Sequence, residues 1–145
     1  MHAESTARTS WQGTLARGSG TTSLASGATT PLNVSWGART ERAAGATSPE
    51  ELIAAAHASC YAMALSHELG EAGAPPESLD VSVTVTFELV DGAPTITRSA
   101  LTVRGGVAGI DAAGFAAAAA GAKEGCPVSR ALKGNVEITL DAALA

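Results

Sequence analysis

Two cysteines, Cys60 and Cys126, are the residues of this chain best suited to covalent chemistry. Cys126 directly precedes Pro127, a residue that favours the first position of a helix, so its sulfur would face free amide groups that stabilise a thiolate. Cys60 lies in the middle of an apolar stretch, where a thiol without a partner has a raised pKa and reacts slowly. A cation would be needed to activate Cys60, and Arg39 and Arg42 in the preceding segment are the candidates.

Simpler interpretations of the cysteines and histidines stay open. A single cysteine in an apolar helix is usually a small core residue. A zinc site is disfavoured, because the chain has no C-x-x-C or H-x-x-x-H spacing. His57 and His67 are ten residues apart on one predicted helix, so they do not share a face, and we interpret both as structural or solvent-facing. The pattern alone therefore predicts a cytosolic α+β domain with possible dithiol redox chemistry.

The composition is that of a globular chain that can build a core. Apolar residues make up 46% and charged residues 16% of 145 residues, which predicts a single domain over residues 1–145. A net charge of -5 without a basic cluster argues against a nucleic-acid partner. The sequence has no signal peptide pattern and no apolar run typical of a membrane span, so we expect a cytoplasmic protein without a membrane partner. In that compartment, cysteines are more often catalytic, redox-active or metal-binding than disulfide-bonded.

A long helix is predicted from Pro49 to about Gly70. Ser48 is a good N-cap, Pro49 fits the first helical position, and Glu51 could complete a capping box. Gly70 and Gly73 offer C-terminal stops. The middle of the helix is apolar on nearly all sides, which predicts burial in a core or an interface.

The other segments alternate between strand and helix patterns. Strands are predicted over residues 6–11, 21–25, 32–36, 79–89, 95–104 and 136–140, and helices over residues 112–123 and 127–133. Residues 37–47 are small and polar, and we interpret them as a mobile loop that carries the two arginines. This order predicts an α+β fold in which an antiparallel sheet packs on the long central helix.

Two motifs carry a resemblance to a known family. The first, from Thr47 to Cys60, reads Thr-Ser-Pro-Glu-Glu-Leu-Ile-Ala-Ala-Ala-His-Ala-Ser-Cys, and the second is Cys-Pro-Val-Ser over residues 126–129. Both resemble the OsmC/Ohr family, whose names stand for osmotically inducible protein C and organic hydroperoxide resistance protein. The first motif is more similar to the OsmC branch. With Trp11 and residues 136–140 included, the resemblance covers essentially the whole chain.

The resemblance implies a fold, an assembly and an activity. The implied fold has antiparallel sheets around a long central helix, in an intertwined homodimer with two active sites at the subunit interface. The implied activity is that of a thiol peroxidase that reduces organic hydroperoxides, uses no metal or organic cofactor, and is recycled by an external dithiol. The alternative is a non-enzymatic stress-response or redox-sensing binding protein on the same fold.

The resemblance also implies roles for four residues. Cys60 matches the peroxidatic cysteine and Cys126 the resolving cysteine, while Glu50 matches the active-site carboxylate. Arg39 best matches the active-site arginine, which would hold Cys60 as a thiolate and be oriented by Glu50. An aromatic residue usually follows that arginine in the family, whereas this chain has Thr40, so Arg42 stays an alternative.

The position of Glu50 leads to a prediction about the assembly. Glu50 precedes Cys60 by ten residues, a rise of about 15 Å along a continuous helix. A carboxylate at that distance does not reach the thiol of its own chain along the helix. If Glu50 serves the site, we expect either that it comes from the other subunit or that the helix begins later than predicted.

Overall fold

The computed structural model describes residues 1–42 and 44–145 and has the predicted α+β class. The chain forms two compact units, Met1–Leu52 and Ile53–Ala145. No helix in the described ranges is long and apolar enough to cross a membrane. The elements in chain order are β1 (Ala7–Gln12), β2 (Ser19–Leu24), β3 (Leu32–Val34), α1 (Trp36–Glu41), α2 (Pro49–Glu71), β4 (Ser78–Val90), β5 (Ala93–Gly106), α3 (Ala112–Gly125), α4 (Pro127–Leu132) and β6 (Glu137–Leu144).

The first unit contains an antiparallel sheet with the strand order β1-β2-β3. The first two strands match their predicted ranges to within two residues at each end. Trp11 lies opposite Gly20, and a Cβ atom at Gly20 would approach the Ser10 carbonyl oxygen to 2.5 Å. This close approach of two backbones requires glycine at that position.

The prediction of a loop after the third strand is wrong for its first part. β3 ends at Val34, and the short helix α1 follows, because the Ser35 hydroxyl accepts a hydrogen bond from the Ala38 amide at 3.0 Å. Gly37 and Thr40 are weak helix formers and concealed this start. Ala43, which falls in the predicted loop, lies outside the described residues.

The long helix α2 has 23 residues, about 34 Å of rise, and both predicted ends. The Ser48 hydroxyl accepts a hydrogen bond from the Glu51 amide at 3.1 Å. The Glu51 carboxylate was expected to complete a capping box, but it accepts a hydrogen bond from the Thr47 hydroxyl at 2.6 Å. Gly73 adopts φ 77°, which allows the chain to turn away after the helix.

One face of α2 is buried and the opposite face is open in the single chain. The buried residues recur every four positions, the spacing that aligns side chains on one helix face: His57, Tyr61, Leu65 and Leu69. On the opposite face the Met63 side chain is 68% exposed. The helix is therefore not buried on all sides within one chain. Burial of its open face in an interface stays a prediction.

The second sheet has the strand order β4-β5-β6 and belongs to the second unit. β4 and β5 form the predicted hairpin, in which Asp91 and Gly92 both have positive φ values, 51° and 79°. β6 pairs with β5 in the parallel direction, with Arg98 opposite Glu137. The expectation of purely antiparallel sheets thus holds for every strand pair except this one, because α3 and α4 carry the chain back before β6 begins.

The core of the second unit lies between this sheet, α2 and α3. Its buried side chains include Tyr61, Leu65 and Leu69 from α2, Leu101 and Val103 from β5, and Phe115, Ala119 and Ala122 from α3. Full burial of a leucine or phenylalanine side chain contributes about 1.5–3 kcal/mol relative to exposure. Cys126 is part of the same cluster, and Cys60 packs against it.

Candidate active site

The predicted site residues form two pairs, one in each unit. Arg39 and Glu50 lie in the first unit, and Cys60 and Cys126 lie in the second. Each pair consists of residues that are distant in sequence and adjacent in space.

Arg39 and Glu50 form a two-pronged ion pair. Arg39 Nη2 donates to Glu50 Oε1 at 2.7 Å, and Arg39 Nε donates to the same oxygen at 3.0 Å. The Glu50 side chain is 1% exposed, so this buried carboxylate is satisfied by a planar guanidinium. The arginine also lies over the Trp36 ring, with its guanidinium carbon 5.9 Å from the ring centroid.

The second candidate arginine has a different partner. Arg42 Nη1 donates to the Ser48 hydroxyl at 3.0 Å, the same hydroxyl that caps α2. Of the two candidates, Arg39 is therefore the one that pairs with Glu50. This contact matches the expectation that Glu50 orients Arg39, while the catalytic roles of both residues stay predictions.

Cys60 and Cys126 are both free thiols, and their side chains interact. Cys60 projects from the middle of α2 and is partly accessible, whereas Cys126 is fully buried at the junction of α3 and α4. Cys126 belongs to the core cluster that packs α2 against α3, and Cys60 packs against the same cluster. The site thus combines one partly accessible sulfur with one buried sulfur.

The surroundings shift the two thiol pKa values in opposite directions. Burial raises the pKa of Cys60, and the Cys126 side chain raises it further against a lowering effect of the Val128 backbone amide. Burial opposes ionisation of Cys126 as well, but the amide of Ser129, the Cys60 thiol and the Ser129 hydroxyl outweigh it and lower the pKa of Cys126. The Cys126 side chain makes no hydrogen bond that caps α4.

His57 forms a buried bridge next to the thiols that the sequence did not predict. Its Nδ1 atom lies 2.7 Å from Ser99 Oγ, and its Nε2 atom lies 2.7 Å from Ser129 Oγ. Burial lowers the pKa of His57, which favours the neutral imidazole. The spacing of four residues to Tyr61 was the available signal that this histidine faces the core.

Tyr61 fixes α2 against α3 on the turn that follows Cys60. Its hydroxyl donates to the Ala119 carbonyl at 2.9 Å, and the side chain is fully buried. Burial raises the pKa of Tyr61, and the nearby Cys126 sulfur adds to this effect. The tyrosine is therefore a neutral structural donor. No cluster of three or more potential metal ligands occurs among the residues the structure describes.

Comparison with known proteins places this architecture in a family. A family model described as OsmC-like protein matches residues 42–141, and the chain belongs to the OsmC family. It is 47% identical over 131 residues to a protein of Escherichia coli (strain K12) named Peroxiredoxin OsmC, and the match covers 90% of each chain. A protein of Shigella flexneri with the same name gives the same values.

Solved structures share the fold over nearly their full length. The organic hydroperoxide resistance protein OsmC of Legionella pneumophila superposes with a TM-score of 0.75 at 25% identity, covering 98% of this chain and 99% of the other. The organic hydroperoxide resistance protein OhrB of Bacillus subtilis gives 0.73 at 26% identity, covering 94% and 97%. The predicted family and fold class are thus confirmed.

Proposed function

We propose that this protein is a cysteine-based peroxidase that reduces organic hydroperoxides to alcohols. The observation that carries the proposal is a pair of free thiols at one apolar cluster, one partly accessible and one buried, each of which shifts the pKa of the other. Relatives named peroxiredoxin and organic hydroperoxide resistance protein support the reaction class and the substrate class.

The proposed reaction proceeds through both sulfurs. The Cys60 thiolate attacks the distal oxygen of the hydroperoxide, the O–O bond breaks, and the alkoxide leaves and takes up a proton as the alcohol. Cys60 is then a sulfenic acid. The Cys126 thiolate attacks the Cys60 sulfur, the S–O bond breaks, and hydroxide leaves to become water. An external dithiol reduces the resulting disulfide by thiol–disulfide exchange.

Accessibility supports the proposed order of the two cysteines. Cys60 is the sulfur that a substrate can reach, because Cys126 is 0% exposed. Within the chain, however, the pKa of Cys60 is raised by burial. The first step therefore needs a positive charge that favours the Cys60 thiolate, and Arg39 is the proposed source.

The proposed role of Glu50 is to hold Arg39 in one orientation. The two-pronged pairing with Glu50 leaves the guanidinium plane fixed, which suits a group that must meet a small anionic sulfur. Because α2 is continuous from Pro49 to Glu71, we propose that the Arg39–Glu50 pair serves the Cys60 of a second copy of the chain.

A homodimer and a cytoplasmic location complete the proposal. The open face of α2 is rich in small side chains next to Met63, and small residues permit close helix packing between two copies. Mixed samples of two single variants, Arg39→Ala and Cys60→Ser, test the shared site. Recovery of activity on mixing and subunit exchange supports it, and no recovery after demonstrated exchange contradicts it.

Replacement of each cysteine in turn tests the reaction. Cys60→Ser abolishes the reduction of cumene hydroperoxide, whereas Cys126→Ser permits one oxidation and blocks recycling. Ser82→Ala, which removes an exposed hydroxyl from β4, is the control and retains activity. Full turnover by Cys60→Ser rules the proposal out.

Thiol titration separates the peroxidase from its main alternative. One equivalent of cumene hydroperoxide removes both thiols rapidly if the protein is a peroxidase. Slow and unselective loss of thiols identifies a non-enzymatic stress or redox-sensing protein instead.

A further inference from the structure

His57 is a buried polar side chain that the proposed reaction does not use. Its imidazole is 0% exposed, and so is Ser99, while Ser129 is 3% exposed. Both ring nitrogens have a serine oxygen at 2.7 Å, so the ring is held from both sides. A core histidine needs no such arrangement for packing alone, and an apolar residue would avoid the desolvation of three polar groups.

The bridge leads to the resolving cysteine. Ser129 is the third residue of α4, and Cys126 is the residue immediately before that helix. The Ser129 hydroxyl and amide both lower the pKa of Cys126. The hydroxyl that the imidazole contacts is thus one of the groups that stabilise the Cys126 thiolate.

Counting protons fixes the direction of every hydrogen bond when Cys126 is a thiolate. A thiolate only accepts, so the Ser129 hydroxyl donates its single proton to the sulfur. The Ser129 oxygen then accepts from His57, which requires a proton on Nε2. The neutral ring has no proton left for Nδ1, so Nδ1 accepts from the Ser99 hydroxyl.

We propose that His57 is a positioning residue that, held by Ser99, directs the Ser129 hydroxyl toward the Cys126 sulfur and thereby speeds the attack of Cys126 on oxidised Cys60. This inference rests on the proposed function, since it concerns the second step. In that step the S–S bond forms, the S–O bond of the sulfenic acid breaks, and the departing hydroxide takes a proton from solvent. The imidazole stays neutral throughout and exchanges no proton with the reactants.

Nearby positive charge offers a competing explanation for an activated Cys126. Ser129 lines a cavity of about 180 Å³ together with Lys123, Arg130 and Lys133, and Lys133 is paired with Glu124 at 3.0 Å. A charge effect does not depend on the Ser129 hydroxyl. Variants that delete or keep this hydroxyl therefore separate the two explanations.

Rapid mixing of the reduced protein with one equivalent of cumene hydroperoxide tests the inference. Intact mass at successive times follows the sulfenic acid, which gains one oxygen, and the disulfide, which loses two hydrogens. In Ser129→Ala we expect the sulfenic acid to form at the wild-type rate and the disulfide to form about tenfold more slowly, the effect of one lost hydrogen bond to a charged group. Ser129→Thr keeps the hydroxyl and restores the second rate, and Ser82→Ala, which removes an exposed hydroxyl from β4, leaves both rates unchanged.

Several outcomes overturn the inference. Disulfide formation at the wild-type rate in Ser129→Ala contradicts it, and equal slowing of both steps indicates a structural role instead. If the wild type forms neither product, the proposed function fails. A second measurement then still tests the hydrogen bonds of His57. Nitrogen NMR of the reduced wild type at mildly alkaline pH should find the His57 proton on Nε2. A proton on Nδ1 overturns the inference, whatever the activity.

Discussion

Arg39 and Glu50 are joined by three hydrogen bonds from one guanidinium to one carboxylate, the shortest at 2.7 Å. The carboxylate is almost completely buried and the arginine side chain is 27% exposed. Breaking such a pair leaves a buried charge without a partner, which costs more than the pair itself contributes.

Arg39→Ala should therefore destabilise the protein by about 3 kcal/mol, the range typical of a buried carboxylate left alone. Urea unfolding at neutral pH measures the change. Arg104→Ala is the matched control, because it removes an arginine from an exposed ion pair with Asp141 and should change the stability little. Equal effects of the two substitutions would contradict the assignment of Glu50 as a buried, arginine-dependent carboxylate.

The buried His57 should make stability depend on pH. Its pKa is lowered by burial in the folded protein, while 6.5 is the ordinary value for the unfolded chain. As pH falls below 6.5, the unfolded chain takes up a proton that the folded protein refuses, so stability is lost toward the folded pKa. The slope contributed is at most about 1.4 kcal/mol per pH unit.

Urea unfolding of the wild type and His57→Gln at about pH 7 and about pH 5 isolates this contribution. The wild type should lose more stability on acidification than the variant does. His67→Gln replaces an exposed histidine of the same helix and should retain the wild-type slope. An unchanged slope in His57→Gln would mean that the imidazole is as easily protonated in the folded protein as in the unfolded chain.

The Tyr61 hydroxyl offers a test of the contact between α2 and α3. Tyr61→Phe removes the buried hydrogen bond to the Ala119 carbonyl and should cost about 1 kcal/mol, while the ring still fills the core. Ser59→Ala removes an exposed hydroxyl from the same helix and should be close to neutral. If Tyr61→Phe leaves the stability unchanged, the hydrogen bond from the Tyr61 hydroxyl to the Ala119 carbonyl contributes nothing to it.

Two glycines should respond to alanine with opposite signs. A Cβ atom at Gly105 in β5 would lie 2.6 Å from Phe115 Cε2, so Gly105→Ala should destabilise by about 1–3 kcal/mol through overpacking. Gly70 lies inside α2 with open space around it, so Gly70→Ala should stabilise by about 0.5–1 kcal/mol. Thermal unfolding of both variants checks the pair, and destabilisation by Gly70→Ala would contradict the open environment at that position.

The elements that sequence predicted best are those with a strong local signal. The caps of α2 and the alternation of β4 are encoded by neighbouring residues, and the Asp91-Gly92 hairpin needs only two. The direction of β6 was missed because an alternating pattern is the same in parallel and antiparallel pairs. α1 was missed because its single clear signal is the Ser35 cap.

The candidate site also contains features that the sequence predicted and features that it did not. The cysteines stand in recognisable motifs, and the pairing of Arg39 with Glu50 could be anticipated from the family resemblance. The partners of His57 could not, since Ser99 is 42 positions away and Ser129 is 72 positions away, and neither has a local pattern. Only the folded backbone brings such residues together.

The bridge at His57 also has a consequence for how the protein matures. The β4–β5 hairpin forms from neighbouring residues, whereas the hydrogen bonds of His57 close loops of 42 and 72 positions. Contacts between residues so far apart in sequence form late, because the intervening chain loses conformational entropy before the contacts stabilise it. Until the chain reaches this stage, it lacks the arrangement of Cys60 and Ser129 that lowers the pKa of Cys126. The lowered pKa of Cys126 is therefore a property of the completed fold, and a misfolded chain lacks it.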